Sequence, residues 1–273
     1  MESLFAHTYL LLFGKIAVGG LLSLAVPPFA ELERGYFRST GAVYLAAAAA
    51  MAAGLAYLGF RESPAGFSVE VVFWVIFAVL FAAYYATLFV ELPFLRARLF
   101  PLALLAGVVA VAASAVSFVP PSVSAASGVA FAIVSLTGAA LVGSGVSGML
   151  LGHWYLIERD LDLAPLERML AFCRYCLAAE VIAVIAALLL LSLWPGSPWR
   201  GGLEVAFDAR FAPLLIGRLA CWSLAALLLA LIRRTLEIPQ TMAATGLFYI
   251  EALVVTIGQI IGHWLLFRTG LPL

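Results

Sequence analysis

Charge is scarce in this chain. Of its 273 residues 11% are Asp, Glu, Lys or Arg, fifteen of each sign, so the formal net charge is zero. A soluble domain carries about 25% charged residues, and no polar stretch here is long enough to fold one. No run of basic residues exists, which excludes an electrostatic nucleic-acid interface. Cysteine numbers three, too few for a disulfide-rich secreted scaffold. Histidine also numbers three, at His7, His153 and His263. They form no i, i+4 pair and no His-Glu-x-x-His, and no close carboxylate cluster accompanies them, so zinc hydrolase chemistry is excluded and no metal site is expected. Walker loops and dinucleotide fingerprints are absent too. Without a nucleotide site, energy must come from an ion gradient, a redox partner or another subunit. Lysine is the rarest ionisable residue: Lys15 stands alone against fourteen arginines.

Apolar residues fill the space. They make up 65% of the chain, and the mean hydropathy is +1.11. A membrane helix needs about 20 mostly apolar residues, and eight segments qualify, at roughly 5–28, 41–60, 68–91, 99–119, 128–156, 170–194, 211–232 and 243–267. The runs are solid, without the period-two alternation of a membrane β-barrel. Pro27-Pro28 and Pro120-Pro121 cannot continue a helix and mark span ends. The first run carries Glu2 and no basic residue before it, so it reads as a span and not as a signal peptide. The expected fold is therefore all-α: a polytopic integral membrane protein, one domain over 1–273, built as a bundle of eight transmembrane helices.

Arginine placement sets an orientation. Loops after spans 1, 3, 5 and 7 hold eight arginines (34, 38, 96, 98, 159, 168, 233 and 234), and the other side holds four (61, 200, 210 and 268). This puts the odd-numbered loops in the cytoplasm and both termini outside, in a multi-pass protein of a bacterial-type inner membrane. The longest loop, 195–210, flanked and entered by Trp194 and Trp199, then lies outside as an interfacial or partner-binding segment.

Ionisable groups within a span cost a few kcal/mol each on insertion scales, about 2.5–3.5 for Lys, Arg or Asp at the centre, so each needs a partner, a wet cavity or a task. Lys15, Glu180, Arg218, Glu251 and His263 are the interior cases. Glu70, Glu91 and Arg174 stand nearer the interfaces, where snorkelling suffices. An ammonium can release a proton where a guanidinium cannot, so Lys15 and Glu251 are the candidate proton-handling residues. An ion pair of Lys15 with Glu251 or Glu180 is the structural alternative.

Span 8 holds the densest polar pattern. Tyr249, Ala252, Thr256, Gln259 and His263 follow one another by 3, 4, 3 and 4 residues and form one helical stripe. Glu251, Gly258 and Gly262 form a second stripe about 120° away. A polar stripe beside a glycine stripe suits one face lining a site and another packed on a neighbour. Interhelical hydrogen bonding alone also accounts for Thr and Gln. Gly-x-x-x-Gly-His-Trp occurs at 148–154 and again at 258–264, read as a packing device that happens to place a histidine. His7 and His263 both sit toward the outer face, the one pair at similar depth for a bis-histidine haem b. The Cys173-Arg-Tyr-Cys176 spacing falls on a helix within span 6, where structural cysteines are expected.

Three functions compete. One is a membrane-embedded subunit of an electron-transfer complex, binding quinone and, in one version, haem b through His7, Tyr249, Thr256, Gln259 and His263, beside other membrane or redox subunits. Another is a small secondary transporter or channel with Lys15, Glu251 and Gln259 at a midplane polar site. The last is a non-catalytic assembly or scaffold subunit whose polar residues only pack.

Overall fold

The structure, a computed structural model, describes residues 2–62, 68–117, 119, 125–158, 160–193, 199–238 and 240–273. Among these residues nine helices follow in order: α1 (Glu2–Ser23), α2 (Arg34–Glu62), α3 (Val69–Ala86), α4 (Pro93–Ser117), α5 (Ala125–Ile157), α6 (Ala164–Leu193), α7 (Arg200–Phe207), α8 (Ala212–Glu237) and α9 (Thr241–Thr269). All but α7 are long and apolar enough to cross a membrane. The chain is thus an all-helical, multi-pass membrane protein in contact with lipid.

Most helices overrun the apolar windows. α2 begins at Arg34 instead of 41, α4 at Pro93 instead of 99, α6 at Ala164 instead of 170, and α8 ends at Glu237 instead of 232. Hydropathy marks the hydrocarbon layer, whereas backbone hydrogen bonding continues through the polar interface. Two helices stop short. α1 ends at Ser23, and the turn before Pro27-Pro28 takes over with Ala25 and Val26 bonding back by i→i−3. α3 ends at Ala86 because the Thr87 hydroxyl donates to Tyr84 O at 2.6 Å and the chain tightens through i→i−3 bonds at 87, 88 and 89. Pro120-Pro121, Arg159 and Trp194 lie outside the described residues.

α1, α5 and α9 form the centre of the bundle. α1 and α5 touch backbone to backbone: a Cβ on Gly19 would stand 1.7 Å from Ala139 O, and one on Gly143 would stand 1.9 Å from Gly19 C. Only glycine permits that approach. On α5 the sequence's small-residue face meets α9, with Gly148 against Phe248 and Gly152 against Thr245. On α9, Gly258 faces Cys221 and Gly262 faces Arg218, both of α8. Both copies of Gly-x-x-x-Gly therefore do what their spacing predicts. α3 and α4 pack as a hairpin on the flank, with α3 presenting Trp74, Phe77, Phe81 and Tyr84 inward.

The described part of the segment expected at 195–210, residues 199–210, is largely helical. It contains α7, Trp199 is buried with its ring 5.1 Å from Phe131, and Gly202 lies against Thr269 O. Trp199 and Gly202 thus pack against α5 and the last residue of α9.

Candidate functional site

Five helices bring polar side chains to one buried cluster. Lys15 on α1 donates to Gln259 Oε1 on α9 at 2.8 Å. The amide of Gln259 donates in turn to Glu180 Oε1 on α6 at 2.9 Å. Arg218 on α8 reaches the same oxygen at 2.7 Å and also donates to the Gly258 carbonyl at 2.5 Å. Glu180 Oε2 accepts from Thr137 of α5 at 2.6 Å. Glu180 is 0% exposed, Arg218 1%, Gln259 1% and Lys15 8%. Lys15 lies within electrostatic reach of both Glu180 and Arg218. The cluster thus sets two cations against one carboxylate in a dry interior.

The backbone makes room for it. A Cβ on Gly138 would lie 2.8 Å from Gln259 Oε1 and 2.9 Å from Lys15 Nζ, so the missing side chain is the space the pair occupies. Gly262 plays the same part for the Arg218 guanidinium, 2.9 Å from Cζ. The Arg218 guanidinium also stacks over Trp222 at 4.9 Å, which suits a weakly hydrated, planar cation.

Beside Lys15 lies a cavity of about 30 Å³, lined in part by Ser114, Ser135, Trp74 and His263. Trp74 donates to Ser114 Oγ at 2.8 Å, and Ser114 donates to Glu70 at 2.5 Å. Glu70, expected to snorkel, is therefore tied to the lining of this cavity. His263 is 4% exposed, and its ring faces the Thr8 backbone.

Glu251 stands apart from Lys15. It is 0% exposed, and neither carboxylate oxygen has a hydrogen-bond partner among the described residues. Its carboxylate rests on Gly145, where a Cβ would lie 2.9 Å from Oε2, and within electrostatic reach of the Cys173 thiol. Cys173 and Cys176 are both buried and free, and Cys173 donates to Ser144 O at 3.3 Å.

The stripe on α9 divides among different neighbours. Gln259 joins the charged cluster and His263 the cavity, while Thr256 folds back on Ala252 O at 2.7 Å. Tyr249 is exposed and pairs with Nδ1 of His153, at the end of α5, at 3.0 Å. His7 is half-buried near the start of α1, one residue round from the Thr8 that faces His263. Phe5 packs on Trp264 at 5.5 Å, so His7 and His263 do share one end of the bundle. Glu180 is one of the two ion-pair partners the sequence offers Lys15, whereas nothing in the spacing joins Arg218 to either. Thr137 and Gly138 carried no signal.

At the opposite end, Glu158 follows α5 and meets Glu33, just before α2. Desolvation, then the hydrogen bond and repulsion from Glu33, hold the Glu158 carboxyl above the usual carboxylate range. Among the described residues no group of three or more His, Cys, Asp or Glu is placed to hold a metal ion.

No protein-family model matches the chain, and no curated protein or solved structure matches it either.

Proposed function

We propose that this protein is a small proton-translocating membrane transporter, working through the buried Lys15–Gln259–Glu180–Arg218 cluster. The observation that carries this reading is the continuous hydrogen-bonded chain from an ammonium through an amide to a carboxylate and a guanidinium, across four helices at membrane depth. Packing alone does not require such a chain, since replacing a buried ion pair by apolar residues is often neutral or stabilising. Ionisable groups kept inside a span line ion and proton pathways far more often than they serve as glue.

Other polar side chains lie along α9, with no hydrogen bond from Gln259 to any of them among the described residues. His263, Gln259, Glu251 and Tyr249 cover fourteen residues, about 21 Å of helix at 1.5 Å per residue and most of a ~30 Å hydrocarbon layer. His153 continues from Tyr249 at the exposed end. The ~30 Å³ cavity at Lys15 has the size of about one water, with Lys15, Ser114, Ser135 and His263 as polar partners among otherwise largely apolar walls. That same size weighs against haem b or a quinone ring among these residues, because either would have to part the helices. His7 and His263 then have no shared cofactor to serve in this reading.

The test is proton flux into liposomes holding the purified protein and a trapped pH dye, driven by a potassium diffusion potential. Wild type is expected to acidify the lumen well above empty liposomes. Lys15→Met and Lys15→Arg are both expected to lose that excess, the second because a guanidinium keeps its charge but cannot release a proton. Wild-type flux equal to that of empty liposomes overturns the proposal, and so does a Lys15→Arg variant that conducts like wild type.

A further inference from the structure

A second site lies on the lipid-facing side of the bundle, away from the charged cluster. α6 and α8 are clasped by the Glu180–Arg218 pair and separate beyond it, leaving a groove of about 870 Å³. Its walls are apolar: Leu177, Val181 and Ile182 from α6, and Leu219, Ala226 and Leu229 from α8. Ile182 and Leu219 are exposed along its rim, so the groove is open to the hydrocarbon. From Leu219 to Arg233 it runs fourteen residues, about 21 Å of helix, longer than one leaflet's half of a ~30 Å hydrocarbon layer.

The far end is cationic. Arg174 enters from α6, and Arg233 and Arg234 from the last turns of α8. Arg233 is met by Glu237 at 3.4 Å, both 61% exposed. Arg174 and Arg234 have no ion pair or hydrogen bond among the described residues. A smaller hollow continues the groove past Arg174 and Arg233, with Glu167 and Glu237 also on its walls. An apolar channel as long as an acyl chain, ending in two unpaired guanidiniums at interface depth, has the chemistry of one class of membrane component.

The geometry points to a bound acidic phospholipid, its acyl chain along the α6–α8 groove and its phosphate between Arg174 and Arg234. Guanidinium pairs phosphate bidentately, and basic pockets between membrane helices near the surface favour anionic head groups. Zwitterionic lipid has the same tail but no net charge to answer the arginines. The site makes no use of Lys15 or Gln259, so it stands or falls apart from proton movement.

The experiment uses the full chain in mild detergent, titrated with phosphatidylglycerol or phosphatidylcholine and followed by native mass spectrometry and by melting temperature. Phosphatidylglycerol is expected to stay bound and to raise the melting temperature where phosphatidylcholine does neither. Each basic residue at an anionic lipid surface is worth about fivefold in binding, so Arg174→Gln with Arg234→Gln should weaken phosphatidylglycerol about thirtyfold. Both arginines are exposed, so folding should be unaffected. Ala226→Trp, which fills the apolar wall, should weaken it with the arginines intact. Equal binding of the two lipids overturns the proposal, as does unchanged phosphatidylglycerol binding in the double variant. Glycerol phosphate competing as strongly as the whole lipid, or quinone recovered from the groove at one per chain, also overturns it.

Discussion

Replacing Glu180 by Gln removes a charge at nearly constant volume and turns one of two accepting oxygens into a donor. The pair it forms with Arg218 is 2.7 Å long, with side chains 0% and 2% exposed, so solvent screens it little. At an effective dielectric of about 20 the gross attraction at that distance is about 6 kcal/mol. Desolvation offsets much of it in the intact pair, but removal of one partner leaves the other charge buried alone, at about 3–5 kcal/mol. Here the loss strands two cations, Arg218 and Lys15. For a chain of this size that corresponds to a melting temperature lower by about 10 °C. Arg218→Met should cost less than Glu180→Gln, because Lys15, one amide away, still opposes the carboxylate. Combining Glu180→Gln with Arg218→Met should return at least half of the Glu180→Gln loss, since the amide oxygen introduced on α6 can still accept from Gln259 while Thr137 keeps its bond to Val134 O. Melting in detergent with a thiol-reactive dye reads this directly, because Cys173 and Cys176 are buried and free. A Glu180→Gln variant melting within about 2 °C of wild type, less than about 1 kcal/mol, would refute the reasoning. Additive losses in the double variant would refute the pairing.

Gly143→Ala should be among the most damaging small substitutions, since its Cβ would stand 1.9 Å from the Gly19 backbone and force α1 from α5. About 3 kcal/mol, the upper range for overpacking, is expected, and a variant that melts like wild type would contradict the backbone contact. The Glu33–Glu158 contact sets a pH dependence. A carboxyl held above its unfolded range adds stability that is complete at low pH and is lost as pH rises through its folded pKa. Wild type should therefore lose more stability between acidic and neutral pH than Glu33→Gln, compared by melting at each pH, and parallel curves would count against the contact.

Much of the frame was legible along the chain. Eight apolar runs became eight crossing helices, and both Gly-x-x-x-Gly patterns face close neighbours, because length and small-residue spacing act locally. Helix ends were less legible: Arg34 to Thr40 is helical though polar enough to read as loop. Among the site residues, Lys15 and Gln259 bond to one another and Gln259 to Glu180, whereas Glu251, grouped with the first two in the transporter alternative, has no hydrogen bond to either among the described residues. Tyr249 left the stripe for His153, since a helical stripe about 21 Å long passes several different neighbours.

The amino-acid sequence by itself determined that the chain lies in lipid, that it crosses as helices, and which few residues are out of place there. Those facts follow from transfer free energies summed over single segments, for which no neighbour is needed. Only the tertiary structure decided which misplaced charges answer one another. Lys15, Thr137, Glu180, Arg218 and Gln259 lie on five helices up to 244 residues apart, and their meeting depends on crossings fixed by Gly19 against Gly143 and by the space at Gly138. Pairing of buried charge is a property of distance in the folded bundle, and periodicity along one helix carries no information about it.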